Sequence, residues 1–204
     1  MTLLAEPTTR YEHRRERARE LGARFEFAQQ PLALYLAIVD AQERAFERAR
    51  TDRPGRDDLS SYVVRTALPD LAATLRNSET DDRHCPRCGG LPQVAVFAET
   101  AEALLTSPRK LVCSRCADEW VMSRMTCASC GETSGAKMPI LSDVDLFPHL
   151  RIDACEMCRR YLITVDQRKD SRAVPVVDEL AALPLDLVAA ERGYTKIARN
   201  LMGV

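Results

Sequence analysis

The sequence predicts an α+β protein: an N-terminal helical domain, two tandem metal-ribbon units and a C-terminal helical segment. Three observations carry this expectation. Apolar residues recur at helical spacing in the first part of the chain, short β-rich runs separated by turns fill residues 83–170, and all eight cysteines fall in CxxC pairs within that second region. With 204 residues, 46% of them apolar and 29% charged, the chain is long enough for one ordinary domain and a smaller one.

From Arg10 to about Gln30 charged residues dominate, yet Ala18, Leu21, Phe25 and Ala28 recur at helical spacing, and Glu20 precedes Arg24 by four residues. This predicts a surface helix with one narrow apolar stripe. Pro31 suits the first turn of a second helix, whose Leu32, Tyr35, Leu36, Val39 and Phe46 make a wider apolar face for a core. TDRPGRDD, residues 51–58, reads as a turn in which Asp57 or Asp58 caps a third helix through Leu59, Tyr62 and Val63. Pro69 and Asp70 restart a short helix ending near Leu75, and the apolar-free NSETDD of residues 77–82 closes the helical domain, set at 1–80.

Between residues 83 and 170 the runs QVAVF, KLVC, EWVM and YLITV read as strands. They divide into two units, 81–125 and 126–170. After residue 171 helix returns in PVVDELAALPLDLVAAERGY, where Pro184 predicts a kink or two short helices, giving a last segment of 171–204.

The cysteine pairs are Cys85/Cys88, Cys113/Cys116, Cys127/Cys130 and Cys155/Cys158. A shift of 42 residues carries the first two pairs onto the last two, and Cys88 and Cys130 are each followed by glycine whereas Cys116 and Cys158 are not. The pattern is an internal duplication. A CxxC turn lets two thiolates converge on one ion, and two turns make a tetrahedral S4 site. The duplication assigns Cys85, Cys88, Cys113 and Cys116 to one site and Cys127, Cys130, Cys155 and Cys158 to the other. Cys113/Cys116 lie closer in sequence to Cys127/Cys130, so only the repeat symmetry favours this pairing. Such geometry takes zinc or a single iron, two ions per chain, and offers no open coordination position, so both sites read as structural. Each unit is too small to persist by apolar burial alone, and a structural zinc ion supplies about 10 to 16 kcal/mol. The ion is expected to stand in for a core.

Other residues invite blander readings. His84 and His149 read as donors outside a saturated sulfur site or as surface groups, and His13 as solvent-facing. Trp120 is expected to pack against a metal turn, and Arg124 to serve structure. Asp166, Asp178, Glu179, Asp186 and Glu191 read as caps and solvated faces. No nucleophile with a base, phosphate-cradling glycine loop or dinucleotide fingerprint is visible, so no enzymatic activity is expected. The 29 basic and 30 acidic side chains nearly cancel, and residues 81–170 carry 12 and 13, which argues against nucleic acid as a partner. No apolar run approaches the roughly 18 residues of a membrane span and none at the N-terminus resembles an export signal, so a cytoplasmic protein without stable membrane insertion is expected.

The chain resembles the formate dehydrogenase accessory proteins of bacteria. The resemblance rests on CPRCGGLPQ at 85–93, LVCSRCADEWVMSRMTCASCGE at 111–132, RIDACEMCRRYLITVDQRKD at 151–170 and AVPVVDELAALPLDLVAAERGYTKIARNLMG at 173–203. It implies rubredoxin-like metal sites at all eight cysteines. It also implies a cytoplasmic maturation factor that binds the catalytic subunit of formate dehydrogenase, a molybdenum or tungsten pterin and iron–sulfur enzyme, before any twin-arginine export. RARELGARFEFAQQPLALYLAIVDAQERAF resembles the family's helical opening, and the chain looks shorter than many members between that opening and Cys85. Two rival readings accompany this one: sulfur or electron transfer through thiols or iron, and nucleic-acid binding by zinc ribbons.

Overall fold

The computed structural model describes residues 7–51, 82–87, 89–98, 108–115 and 117–203. The two helices expected between residues 57 and 75, along with Cys88 and Cys116, lie outside the described residues. Helix α1 runs from Pro7 to Arg24, a 3-10 turn follows at Glu26–Ala28, and α2 spans Gln29–Thr51. Ala18, Leu21, Phe25 and Ala28 are buried, as are Leu32, Tyr35 and Val39 of α2, with Leu36 half-buried beside them, while the Phe46 side chain lies outside the described residues.

One mixed sheet follows, made of β1 (Pro92–Phe97), β2 (Arg109–Cys113), β3 (Glu119–Met122), β4 (Ile140–Leu141), β5 (Leu150–Ala154) and β6 (Arg160–Asp166), with β7 (Thr195–Lys196) added late in the chain. Its order is β3-β2-β1-β6-β5-β4, and β7 pairs with β6. The runs QVAVF, KLVC, EWVM and YLITV are β1, β2, β3 and β6. The interrupted C-terminal helix is two helices, α3 (Pro175–Ala181) and α4 (Leu183–Glu191), with Pro184 in the first turn of the second.

The duplication is visible in the strand register. In the first unit Arg109, Lys110, Leu111 and Val112 face Met122, Val121, Trp120 and Glu119. In the second, Arg151, Ile152, Asp153 and Ala154 face Thr164, Ile163, Leu162 and Tyr161, the same pairs shifted by 42. The symmetry breaks at the first strand of each unit. Ser114 N–H donates to Leu91 O, but its shifted counterpart Glu156 N–H donates to Lys137 O, four residues beyond the symmetric position. The two units are joined by a parallel pairing of β1 with β6, through Ala95–Thr164, Val96–Val165 and Phe97–Asp166.

The strands alternate between two apolar clusters. Val94, Val96, Val112, Ile152, Ile163 and Val165 pack under α1, α2 and α3. Ala95, Leu111, Trp120, Met122 and Leu162 point to the other face, together with Cys85, Cys113 and Ile197. Six of the seven residues of β6 are buried. The hairpins therefore possess a core, and the expectation that ions replace one is corrected.

Burial also overturns the reading of Asp166, Asp178, Glu179 and Asp186 as solvated, whereas Glu191 is exposed as expected. Asp178, Glu179 and Asp186 are each 1% exposed. Asp178 accepts from Arg17 Nε at 3.1 Å and from Val174 N–H at 2.8 Å, and His149 Nε2 lies 2.7 Å from it. Arg17, in a helix expected to be a surface one, is itself 3% exposed and also donates to Asp170 at 2.9 Å. Although burial alone lowers a guanidinium's pKa, the bonds from Arg17 to Asp178 outweigh it and hold the charge firmly. Lys196 is likewise buried between Glu179 and Asp186, which also accepts from Tyr161 OH at 2.9 Å. Desolvation pushes both of these carboxyls up, against the pull of Lys196. Glu179 accepts from Asn200 at 2.9 Å, tying the last residues to α3. Replacing Asp178 with alanine strands the Arg17 charge in the core; Asp178→Ala is expected to lose about 3 to 5 kcal/mol in chemical denaturation.

Candidate metal centre

Four peptide turns of one shape present the cysteines. In each, the N–H of the first cysteine donates to the carbonyl five residues on: Cys85 to Gly90, Cys113 to Asp118, Cys127 to Glu132 and Cys155 to Arg160, at 2.8 to 2.9 Å. In each, the residue four positions after the first cysteine donates back to that cysteine's carbonyl. That residue is left-handed in all four turns: Gly89 at φ 68°, Ala117 at 55°, Gly131 at 81° and Arg159 at 56°. Glycine takes this conformation freely, while alanine and arginine are strained there. At Arg159 the side chain offsets the strain, because its guanidinium stacks 4.1 Å above the Tyr194 ring and bonds Glu156 and the Arg192 carbonyl.

The second pair of turns brings Cys127, Cys130, Cys155 and Cys158 together, with all four sulfurs within 4.8 Å of one another. Cys127 Sγ lies 3.8 Å from Cys158 Sγ, and Cys130 Sγ lies 3.7 Å from Cys155 Sγ. Disulfide sulfurs sit about 2 Å apart, so none is bridged. A tetrahedral ion about 2.3 Å from each sulfur sets edges of about 3.8 Å, and the donor set fits such an ion. This quartet joins Cys127/Cys130 to Cys155/Cys158, as the repeat symmetry requires, and excludes their partnership with Cys113/Cys116. An ion here would be held by these four sulfurs and would cross-link the turn before β4 to the β5–β6 turn.

In the first unit Cys85 and Cys113 are buried in the second apolar cluster with Trp120, whose indole N–H donates to Asp82 O at 2.7 Å. Their turns touch: a Cβ on Gly90 would come within 2.7 Å of Cys113 Sγ, so only glycine allows this approach. Ser129 N–H donates to Cys127 Sγ and Arg115 N–H to Cys113 Sγ, both at 3.4 Å, so one turn in each unit aims an amide at sulfur. His149 and His13 are no part of the Cys127–Cys158 quartet. His149 is buried against Asp178, and His13 is exposed.

Electrostatics ties the quartet to a cation. Burial pushes the Cys127 thiol up to about 12 and also raises Cys158. At the exposed Cys130 burial works the same way, but the Glu132 N–H and the surrounding thiols outweigh it and draw the pKa below the ordinary thiol value. Four thiolates side by side require a positive charge among them, so binding an ion expels protons. Zinc affinity, followed by chelator competition, is expected to rise steadily from about pH 6 to about pH 8. Cys155→Ser is expected to carry one ion fewer per chain by elemental analysis.

Sequence reasoning missed one feature of this region: Arg109, Arg124, Arg151, Arg160 and Arg168 line a cavity that Cys127 also borders. The shift of 42 maps Arg109 onto Arg151, a signal already present in the string.

Comparison with known proteins agrees with this geometry. Residues 125–202, which include the sulfur quartet, match the family described as FdhE, C-terminal domain. A protein FdhE homolog from Aquifex aeolicus (strain VF5) is 35% identical over 122 residues, 59% of this chain and 41% of that protein. One from Haemophilus influenzae (strain PittGG) is 34% identical over 118 residues, 57% of this chain and 37% of the relative. The matched part is thus about two fifths of these relatives' length. The crystal structure of the FdhE protein from Pseudomonas aeruginosa superposes with a TM-score of 0.52 and 26% identity, over 79% of this chain and 63% of that one. The sulfur quartet, strands β4 to β7 and both C-terminal helices fall within residues 125–202, and the chain belongs to the FdhE family, the formate dehydrogenase accessory proteins.

Proposed function

We propose that this protein is a non-enzymatic maturation factor of the cytoplasm that binds the immature catalytic subunit of formate dehydrogenase and supports its assembly. The observation that carries the reading is the tetracysteine quartet inside a matched FdhE C-terminal domain. Two structural ions per chain, zinc or iron, complete the proposal, one on Cys127, Cys130, Cys155 and Cys158 and the other on Cys85, Cys88, Cys113 and Cys116. The two rubredoxin-like units share a turn geometry, and the contact of Gly90 with Cys113 Sγ supports convergence of the first pair of turns. In keeping with a cytoplasmic setting, no helix among the described residues is long and apolar enough to cross a membrane.

Metal in this role fixes the shape of a binding surface. The ions hold the turns, the turns hold the hairpin ends, and the client meets a preformed face rather than one that must be ordered on binding. Among the described residues no fifth ligand joins the quartet, which suits this role better than catalysis.

A second reading, electron transfer through a bound iron, is favoured by the exposure of Cys130, which brings one sulfur of the quartet to the surface. Protein that carries only zinc when purified without added metal overturns this second reading.

The tagged full chain is expected to capture the formate dehydrogenase catalytic subunit from cells, and the Cys155→Ser form to capture less. Cells lacking the protein are expected to lose formate dehydrogenase activity while keeping the client's message; unchanged activity overturns the proposal.

A further inference from the structure

We infer that the arginine-lined cavity beside the Cys127 turn is a binding site for a small phosphorylated ligand, a phosphate or diphosphate ester. The cavity holds about 360 Å³, within the size range of small-molecule sites. Among the described residues five guanidiniums line it, from Arg109, Arg124, Arg151, Arg160 and Arg168, with one lining carboxylate, Asp153, and Arg168 is also held by Asp166 through Nε at 2.7 Å and Nη2 at 2.6 Å.

Arg109 is the built element of the site. It is 3% exposed, donates from Nη1 to Thr126 O at 2.9 Å, and places Nη2 3.4 Å from Asp153 Oδ2. Its Nε has no hydrogen-bond partner among the described residues. Arg151 Nε lies 2.9 Å from Asp153 Oδ1, close enough for an ion pair but at an angle that makes no hydrogen bond, so this donor is also unsatisfied. Burial lowers the pKa of Arg109 against the pull of Asp153, and the charge of Arg151 adds to the fall.

Three guanidiniums also converge on one ring. Arg124, Arg151 and Arg168 stand 4.6, 5.0 and 5.0 Å from the Phe97 centroid. Guanidinium forks match phosphate oxygens, and clustering about one ring suits a compact dianion better than the spaced carboxylates of an acidic peptide. Phe97, Met138 and Leu162 add apolar wall for the carbon part of an ester. Offsetting the charge of a metal tetrathiolate does not account for the cluster, because Cys127 is the only one of the four cysteines that lines the cavity.

The test is calorimetric titration of the full chain, its metal content quantified, with inorganic pyrophosphate. Arg124→Ala and Arg168→Ala leave the buried Arg109 in place, and Arg19→Ala, on exposed α1 surface, is the control. Saturable binding of one pyrophosphate per chain is expected, weakened about tenfold or more by each of the first two changes and unmoved by the third. Absence of saturation up to about 10 mM overturns the proposal, as does an affinity indifferent to Arg124 and Arg168. Tighter binding of a hexaglutamate peptide than of pyrophosphate would instead make the cavity part of a protein interface. Loss of metal from the arginine variants with unchanged pyrophosphate affinity would assign the guanidiniums to the sulfur centre.

Discussion

The parallel pairing of β1 with β6 is the constraint on which the remaining structure depends. Each duplicated unit alone is a hairpin with two cysteine turns, and an isolated hairpin is marginal in water. Hydrogen bonding of β1 to β6 merges the two into one sheet, so β6 is flanked by β5 along one edge and by β7 and then β1 along the other. A seven-stranded sheet has two faces to bury. Helices α1, α2 and α3 cover one, and the cysteine turns, Trp120 and Ile197 gather on the other.

Buried charges then fix how the helices sit. Arg17 of α1 reaches Asp178 of α3 across 161 residues of sequence, and Lys196 of β7 reaches Glu179 of α3 and Asp186 of α4. Such pairs add little net stability over apolar side chains of the same size, but a wrong docking would leave a charge unpaired in the interior. They select one arrangement of terminal helices on the sheet. The sulfur quartet performs the same service at the β5–β6 end, where strand ends and turns lack apolar material of their own.

Metal centre and arginine cavity meet at Cys127, which belongs to both. An ion that holds the Cys127 turn therefore also shapes one wall of the anion site. With an ion bound, a sulfur framework would stand beside a cavity of opposite charge, and occupancy of one would bear on the geometry of the other.

The cysteine spacing by itself determined the second sulfur quartet and its pairing, because ligand geometry is local and a 42-residue shift is legible in one dimension. The same local logic made β1, β2, β3 and β6 legible, as well as the buried stripes of α1 and α2 and the break at Pro184, since apolar period and turn chemistry are written in adjacent residues. Only the tertiary structure decided that the two units share a sheet and a core, for the β1–β6 pairing spans some seventy residues and has no local signature. It alone turned Arg17, Asp178, Glu179 and Asp186 from surface charges into interior ones, because a side chain's solvent is set by what packs over it. The arginine cavity was hidden for the same reason: its guanidiniums come from β2, the loop after β3, β5, β6 and the turn after β6, and only the folded sheet brings them to one cavity.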